Sequence, residues 1–393
     1  MSEFARRLVF ACFTVLALSA CSEGAAPRPE QTGATQQALR LAVSEHSIAY
    51  DFAHLSAIPA GVAGGARVVF VGSPLEGRVL ALSRFTGRNI GALPAPPGGF
   101  ILPFILHSLG EGRLAVLDAG GLPQPIPFVP ANPTIYEYAY SLSAQGGFSS
   151  HLVRSVTFAS VPFGFAEDFL PLQDGRLLIS DAVLGSIWVA APDGSISPGI
   201  VPKSTSQKDA IPMMVFCPTM PQIVVGGVPF LFSGSAIPGV GTMAVRGGTL
   251  YFYSSCAKGI FSVPLATLSD SRLPYQRAAD IRLAVPRSSA VVEELLGFTF
   301  NPFDADDRYL YAADALRLRL IRINLENGER QIVGDDPTLF NFPSSTAFLP
   351  PVLGIEPLFV VSNQQQLTTL TNAAITQDIL TPPFLITKLF VTN

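Results

Sequence analysis

Few residues of this sequence have both the type and the spacing that chemistry requires, and two of them are neighbours. Glu167 and Asp168 open an apolar run, Phe165–Leu170, which a turn at Asp174–Gly175 follows. A carboxylate in such a place can bind a hard cation such as calcium, and a lone glutamate in an apolar pocket can act as a general base. Adjacent side chains of a strand point to opposite faces, so only one of the two can face a shared site. We expect that residue to be Glu167.

Other catalytic or cofactor patterns are absent from the sequence or lack their structural context. Gly239–Ala244 matches the dinucleotide fingerprint GxGxxA, but Arg246 and two glycines follow where that motif needs a helix. Asp304–Asp307 lacks the glycine and the distal glutamate of a calcium loop, so we predict a solvated hairpin there. Neither a GxSxG nucleophile elbow nor an HExxH zinc motif occurs. The histidines are too scattered for a zinc site: His46, His54, His107 and His151.

The element that positions Glu167 is a β-rich unit, Phe165–Gly194. Its apolar runs are separated by tight turns at Asp174–Gly175 and Leu184–Gly185, and the unit stops at Pro192–Gly194. Asp-Gly between apolar runs predicts a hairpin, because glycine accepts the positive φ that such turns need. We therefore predict three antiparallel strands in this unit.

The same pattern recurs along the chain as an apolar strand that ends near a small or acidic residue. Repeats of roughly 45–70 residues, each a small antiparallel sheet, are typical of propellers. Six copies predict an all-β fold, a six-bladed β-propeller of four-stranded antiparallel blades. The six strands are Val68–Gly72, Arg113–Asp118, Leu177–Asp181, Leu250–Ser254, Leu310–Asp314 and Leu358–Asn363.

The sequence also predicts how the ring closes and where two loops are inserted. In the last blade we expect the next strand at Leu367–Leu370, and closure by either Ala38–Ser44 or Leu385–Val391. Two Pro-rich stretches, Leu122–Pro133 and Val201–Pro238, are expected to be loops that cross one face of the disc.

The N-terminus has the pattern of an export signal. Arg6 and Arg7 precede the apolar run Leu8–Leu18, and small residues follow it. The apolar run is too short to span a bilayer, which takes roughly 20 residues. Leu18–Cys21 (LSAC) resembles the lipobox of bacterial lipoproteins, in which the cysteine is acylated. The alternative is an ordinary signal peptide with a chance cysteine. Ser22 in place of aspartate favours the outer membrane.

These features predict three parts of the chain: a lipoprotein signal peptide over residues 1–20, a flexible tether over 21–37 and the propeller over 38–393. Cys21 is the predicted lipidation site, and the membrane is a partner through its lipid. Several acyl chains on one residue would anchor the protein stably. The expected location is the bacterial cell envelope, on the outer membrane.

Composition fits this architecture and excludes one class of partner. Hydrophobic residues make up 48% of the chain and charged residues 14%, with a mean hydropathy of +0.39. Such values are typical of strands buried on both faces. The net charge is −4 and no basic run occurs, so we expect no nucleic-acid partner. Of the four cysteines, Cys217 and Cys256 are the two outside the signal and the lipidation site. Export would place them in an oxidising compartment, so we predict a disulfide between them. The alternative is two separate buried thiols.

Some of these segments resemble a known family. DGRLLISD followed by SIWVAAPDG, and FPSSTAF followed by LFVVSN, are similar to blades of the gluconolactonase / senescence-marker-protein family and of NHL-repeat and strictosidine-synthase-like propellers. The resemblance covers most of the chain after the tether. It implies the six-bladed fold, and for the lactonases a calcium ion on the central axis.

The resemblance places that family's metal ligands on only part of this chain. Its asparagine-aspartate pair falls on Glu167 and Asp168, which are therefore the predicted metal ligands. Its other ligands fall near Ala60, Val240 and Leu296, where no oxygen donor stands. The residues expected near the axis are mostly apolar: Phe104, Val240, Leu296 and Ser345. Either these side chains fill the centre of the ring, which is the first expectation, or they surround an apolar ligand beside a single carboxylate. Calcium is a possible cofactor, and no other cofactor is expected.

Two classes of function follow. The first is a non-catalytic binding or scaffold propeller of the envelope, whose partner is an envelope protein or an apolar small molecule. The second is a metal-dependent hydrolase of the lactonase or esterase type, with Glu167 as ligand or catalytic base. A third possibility is a metal-free enzyme on the same ring that uses Glu167 as general base.

Overall fold

A computed structural model describes residues 41–44, 46–121, 132–161, 163–202, 223–231, 239–253, 259–287, 293–303, 308–351, 356–368 and 372–391. Within these residues the strands form six antiparallel sheets and one separate hairpin. Six inner strands contact one another in sequence order around a central axis, and the last contacts the first. The inner strands are β3 (Ala60–Gly64), β7 (Pro103–Ser108), β11 (Ala166–Pro171), β17 (Met243–Arg246), β21 (Leu295–Phe300) and β25 (Pro343–Phe348).

Three further strands pair outward from each inner strand, so that each sheet is one blade; blades 1 to 6 are numbered by their inner strands in chain order. The second strands are β4 (Val68–Ser73), β8 (Arg113–Asp118), β12 (Leu177–Asp181), β18 (Thr249–Phe252), β22 (Tyr309–Asp314) and β26 (Pro357–Ser362). The third strands are β5 (Arg78–Ser83), β9 (Thr134–Leu142), β13 (Ile187–Ala190), β19 (Gly259–Pro264), β23 (Arg319–Asn324) and β27 (Phe384–Val391). The fourth strands are β6 (Asn89–Ala92), β10 (Phe148–Thr157), β14 (Ile196–Ile200), β20 (Arg282–Pro286), β24 (Arg330–Gly334) and β2 (Ser47–Leu55).

The predicted six-bladed β-propeller of four-stranded antiparallel blades is confirmed, with one addition in blade 6. There the fourth strand β2 also pairs with a short fifth strand, β1 (Leu41–Val43). Helical structure in the described residues is limited to short pieces. One turn of α-helix spans Pro274–Arg277, and 3₁₀ turns span Pro74–Glu76, Leu265–Ser269, Ala278–Asp280, Ala315–Arg317 and Gln365–Leu367. No helix of the described chain has the length and apolar character that crossing a bilayer requires.

Blade 6 closes the ring and corrects two details of the sequence prediction. Its third strand is β27, whereas Leu367 lies in a 3₁₀ turn, so the strand predicted at Leu367–Leu370 was wrong for the part described. Both chain ends contribute to closure, because β27 pairs with β26 on one side and with β2 on the other. The N-terminal partner is thus mainly Ser47–Leu55, with Leu41–Val43 only at the outer edge.

The core consists of six apolar clusters, one between each pair of neighbouring blades. In the cluster between blades 6 and 1, Phe52 and Phe359 pack edge to face with ring centroids 5.0 Å apart. Each blade is therefore buried on both faces, which explains the high apolar content of the chain. Such burial stabilises by roughly 25 cal/mol per Å² of apolar surface removed from water.

The acidic residue that ends several second strands has a structural role. Each inner strand begins at one face of the disc, which we call the upper face, and each second strand ends there. At the end of β12, the buried Asp181 accepts hydrogen bonds from the backbone N–H groups of Gly164, Phe165, Val183 and Leu184. Its carboxylate therefore fixes the segment that leads into inner strand β11.

Asp118 does the same in blade 2, where its oxygens accept from the N–H groups of Ile101 and Leu102 at 2.7 Å each. In blade 5, Asp314 instead pairs with Arg317 and Arg319. The recurring acidic residue thus joins the second strand of a blade to neighbouring loops of the upper face.

We expect Asp181→Ala to lower the free energy of unfolding by at least about 3 kcal/mol, because four N–H groups lose a charged acceptor. Asp193→Ala is the matched control. That residue is exposed and caps an outer turn through the N–H of Ser195, so its loss should destabilise the protein far less than the loss of Asp181. Urea denaturation of both variants measures the difference, and equal midpoints would contradict the role given to Asp181.

Candidate functional site

The inner strands carry a bulge near the upper face in five of the six blades. The residues skipped by the ladder are Gly61, Phe104, Glu167–Asp168, Gly297–Phe298 and Ser344. A bulge re-aims a side chain out of the regular alternation. Glu167 therefore lies at a level of the axis where the other blades place a glycine, a phenylalanine or a serine.

Two of these bulge residues are glycines because the neighbouring inner strand lies too close for a side chain. A Cβ atom at Gly61 (φ +46°) would lie 2.5 Å from the carbonyl oxygen of Phe104. A Cβ atom at Gly297 (φ +57°) would lie 2.7 Å from the Cα atom of Ser345. Blades 1 and 2, and blades 5 and 6, are thus in close contact at this level, whereas blade 3 contributes the full side chain of Glu167.

Glu167 points toward the axis. Its Cγ atom lies 4.0 Å from the position that a Cβ atom of Gly241 would take. Its charge also interacts with that of Glu294, at the start of inner strand β21 in blade 5. Since blade 5 is not a neighbour of blade 3, this interaction acts across the centre of the ring rather than through a blade interface.

The surroundings of Glu167 favour its neutral form. Burial is the largest cause, and the charges of Asp168 and Glu294 add to it, raising the pKa of Glu167 to about 8 from an ordinary 4.5. At neutral pH this side chain is therefore a carboxylic acid that can donate a hydrogen bond as well as accept one.

Asp168 joins the inner strands of neighbouring blades. One carboxylate oxygen accepts from the N–H of Phe169 at 2.8 Å, and the other accepts from the N–H of Met243 in blade 4 at 2.7 Å. His107 of blade 2 lies 3.7 Å from the first oxygen. Both oxygens are thus engaged in holding blades 2, 3 and 4 together.

The remaining residues expected at the axis divide into two groups. Phe104 is half-buried at its bulge, with its ring centroid 5.6 Å from that of Phe165. Leu296 is half-buried, and Ser345 is buried beside Ser344. Val240 is instead fully buried between blades 3 and 4. Val240 therefore does not line the axis as expected, and its neighbour Gly241 lies beside Glu167 instead.

Glu294 is the site residue that the sequence analysis missed. It is buried two positions before Leu296, where the family resemblance placed an aspartate. The adjacent Glu293 is buried in an ion pair with Arg330, at 3.0 Å. A pair of glutamates directly before an apolar strand was the signal that could have found Glu294.

The donor set of the described residues does not fit a calcium ion. Calcium takes six to eight oxygen ligands, carboxylates foremost. Both oxygens of Asp168 accept backbone hydrogen bonds, and the described residues contain no group of three histidine, cysteine or acidic side chains that could hold a metal. We therefore derive no step that depends on a metal.

A hairpin from the insert between blades 3 and 4 covers part of the upper face. It consists of β15 (Ile223–Val225) and β16 (Val228–Phe230). Its buried residues pack with Leu316, Leu318 and Phe342 of blades 5 and 6, and Leu296 contacts the same cluster. The predicted crossing of one face by this insert is therefore observed for the described part.

Asn372 holds the hairpin in place. It is fully buried, donates to the carbonyl oxygens of Pro229 and Gln366 at 2.8 Å each, and accepts from the N–H of Leu231 at 3.0 Å. The hairpin is thus fixed to the segment between β26 and β27, and one side of the axial site has a rigid apolar cover.

Three predicted residues lie outside the described chain. Cys21, the lipidation site, and Cys217 and Cys256, the disulfide pair, fall in segments that the structure does not describe. Both assignments stay predictions.

The described residues define a six-bladed β-propeller with a buried carboxyl group, that of Glu167, at the level of the bulges. The chain is similar to a gluconolactonase from Xanthomonas campestris, with 12% identity and a TM-score of 0.52 over 93% of this chain and 99% of that one. It is also similar to a luciferin-regenerating enzyme, with 13% identity and a TM-score of 0.51 over 88% of this chain and 97% of that one.

A third similar structure is a protein of unknown function from Bacteroides thetaiotaomicron VPI-5482, with 12% identity and a TM-score of 0.51 over 87% and 70% of the two chains. At these identities the likeness establishes the fold alone. The resemblance to gluconolactonase-like propellers is therefore confirmed at the level of fold. No protein-family model matches the sequence, and no curated protein matches it either.

The pKa of Glu167 predicts how stability depends on pH. The unfolded chain releases this proton near pH 4.5 and the folded chain near pH 8, so ionisation favours unfolding between these values. We expect stability to fall over this window by at most about 1.4 kcal/mol per pH unit. Glu167→Gln should remove that part of the pH dependence.

Glu326→Gln is the control, because Glu326 is exposed in a turn on the other face. Urea unfolding of the parent and both variants at several pH values measures the effect. A pH profile that Glu167→Gln leaves unchanged would show that Glu167 ionises normally.

Proposed function

We propose that this protein is a non-catalytic binding propeller of the bacterial envelope, and that its axial site binds an apolar small molecule carrying a hydrogen-bond acceptor. The observation that carries the proposal is the buried carboxyl group of Glu167, neutral at pH 7, at the level of the inner strands where blade 2 places Phe104. A protonated acid in such a pocket donates one oriented hydrogen bond, while the apolar walls supply the affinity.

The surroundings of Glu167 support this ligand class over a charged one. The ring of Phe104 and the side chain of Leu296, which packs with the apolar hairpin cluster, offer dispersion contacts. A ligand anion would meet the charge of Glu294, and a ligand cation would require Glu167 to lose its proton first. A neutral ligand with a carbonyl or ether oxygen meets neither cost.

A second candidate is a hydrolase of the lactonase or esterase type, as in the gluconolactonase of similar fold. The observation in its favour is the interaction of Glu167 with Glu294, because two neighbouring carboxyl groups, one of them with a raised pKa, can divide the roles of acid and base. Glu167 would then act as general base for the attack of water on a lactone carbonyl.

We expect the neutral dye Nile red, an apolar aromatic with a carbonyl acceptor, to bind the parent protein about tenfold more weakly at pH 9 than at pH 7. The reason is that binding needs the proton on Glu167, and each pH unit above the pKa removes about nine-tenths of the protonated form. Glu167→Gln, which keeps an N–H donor, should bind equally at both pH values. Fluorescence titration measures the affinities.

Three outcomes would contradict the binding proposal. One is a Nile red affinity that does not depend on Glu167. Another is tighter binding of dansylcadaverine, a primary ammonium probe, as pH rises. A third is hydrolysis of δ-gluconolactone, with or without added calcium, that Glu167→Gln abolishes, which would establish the second candidate instead.

We also propose that acyl chains on Cys21 attach the protein to the outer membrane. The lipobox pattern of Leu18–Cys21 and the polar tether after it support this location. An envelope protein is the alternative partner of the same exported propeller.

Cys21→Ser should convert a membrane-pelleted protein into an uncleaved precursor or a soluble form. The cause is loss of the acylated thiol, and cell fractionation with immunoblotting measures it. Cys12→Ser, in the apolar part of the signal, is the matched control and should leave the protein in the membrane fraction. Equal membrane retention of a Cys21→Ser variant that has the size of the processed protein would rule out the anchor.

A further inference from the structure

Blade 6 carries a polar side chain at the position of its inner strand that Glu167 occupies in blade 3. In blade 3 the ladder between the inner and second strands begins at Ala166 and leaves Glu167 unpaired. In blade 6 the same ladder begins at Pro343 and leaves Ser344 unpaired. Each of the two residues directly follows the first rung, so they are equivalent by register and lie at the same level of the ring.

In blades 1, 2 and 5 this position has no polar side chain. The residue after the first rung is Gly61 in blade 1, Phe104 in blade 2 and Leu296 in blade 5. Because the six inner strands contact one another in sequence order, blade 6 lies three places from blade 3 and stands across the axis from it. Glu167 and Ser344 are thus polar residues on opposite sides of one level of the ring.

The hydroxyl group of Ser344 is buried and has no hydrogen-bond partner, and among the described residues no other serine or threonine hydroxyl is in that state. Other hydroxyls of blade 6 are paired. Thr346 donates to the carbonyl oxygen of Gly297. Ser362 donates to the carbonyl oxygen of Leu339, at 3.1 Å. A buried polar group without a partner is rare because it costs free energy, so the hydroxyl of Ser344 calls for a partner from outside the chain.

Two hydrogen-bond donors on opposite sides of the axis define the kind of molecule that fits between them. Glu167 keeps its proton at pH 7 and can donate one hydrogen bond, and the hydroxyl of Ser344 can donate another. Phe104 and Leu296 are apolar side chains at the same level. An apolar molecule with an oxygen at each end would pair with both donors, and no charge would be buried.

We propose that Ser344 is the second hydrogen-bonding contact of the axial site, and that the ligand is an apolar molecule with a neutral oxygen acceptor at each of two opposite ends. This inference rests on the proposed binding function of the axial site. Glu167 orients one end of the ligand and Ser344 the other. A molecule with one acceptor leaves the hydroxyl of Ser344 unpaired and therefore binds more weakly.

The test compares ligands of the same shape that differ by one oxygen atom. The diketones para-diacetylbenzene and 2,6-diacetylnaphthalene carry a carbonyl group at each end, in two lengths. In the matched analogue of each, an isopropenyl group replaces one acetyl group, so that a CH₂ group stands in place of one oxygen. Equilibrium dialysis against the full-length protein at pH 7 measures each affinity.

We expect the parent protein to bind at least one diketone about fivefold more tightly than its analogue, because one neutral hydrogen bond is gained. Ser344→Ala should abolish this difference and leave the affinity for the analogue unchanged. Ser362→Ala is the matched control, since that hydroxyl belongs to the same blade and is already paired with Leu339. The control variant should keep the preference for the diketone.

A second measurement needs no ligand. Ser344→Ala should leave the urea midpoint equal to that of the parent or above it, because the hydroxyl that it removes has no partner in the folded protein. Ser362→Ala should lower the midpoint, because the bond to Leu339 is lost. If Ser344→Ala lowers the midpoint as much as Ser362→Ala does, the hydroxyl is paired within the protein or with bound water, and the proposal is overturned.

The remaining outcomes separate this inference from the proposed function. If Nile red binding depends on Glu167 but no diketone is preferred over its analogue, the axial site binds a ligand with one acceptor and the second contact is refuted. The same conclusion follows if Ser344→Ala keeps the preference. If neither Nile red nor any diketone binds, the proposed function fails and this inference fails with it.

Discussion

Strand β2, near the start of the described chain, pairs with β27 at its end, and the ring is closed by this one ladder. Its eight residue pairs run from Ser47 opposite Val391 to Leu55 opposite Phe384. Each blade buries its two faces only against its neighbours, so an open ring would leave the outer faces of blades 6 and 1 in water. The cluster around Phe52 and Phe359 would be lost first. The geometry of the axis exists only because this pairing holds all six inner strands at fixed distances.

A closed ring of six blades forces the inner strands together, and the bulge residues show how this chain meets that constraint. Glycine at Gly61 and Gly297 lets backbones approach where no side chain fits. Asp168 uses its carboxylate as an acceptor for backbone N–H groups of its own blade and the next. The only described bulge that turns an acidic side chain toward the axis is that of blade 3, which leaves Glu167 as the group for ligand chemistry.

The fold could be predicted from the sequence, whereas the site could be predicted only in part. Second strands such as Leu177–Asp181 are buried on both faces and read as continuous apolar runs between turns, so their number gave the number of blades. The third strand of blade 6 was predicted at Leu367–Leu370, because that segment is apolar and follows β26 closely. The actual third strand, β27, begins only at Phe384, after a long connection. Glu167 was found as a carboxylate beside a recognisable turn. Glu294 was missed and Val240 was placed at the axis wrongly, because the bulges break the alternation that would reveal which residues face the axis.

The electrostatics of the axial site follow from desolvation. Burial is the largest cause of the raised pKa of Glu167, and the charges of Asp168 and Glu294 add to it, so that the proton stays on up to about pH 8. Asp168 lies beside Glu167 but has backbone N–H donors on both of its oxygens, and such hydrogen bonds favour the charged form of a carboxyl group. Two adjacent carboxyl groups thus have different surroundings. Asp168 joins neighbouring inner strands, and Glu167 keeps a proton that it can donate to a hydrogen-bond acceptor.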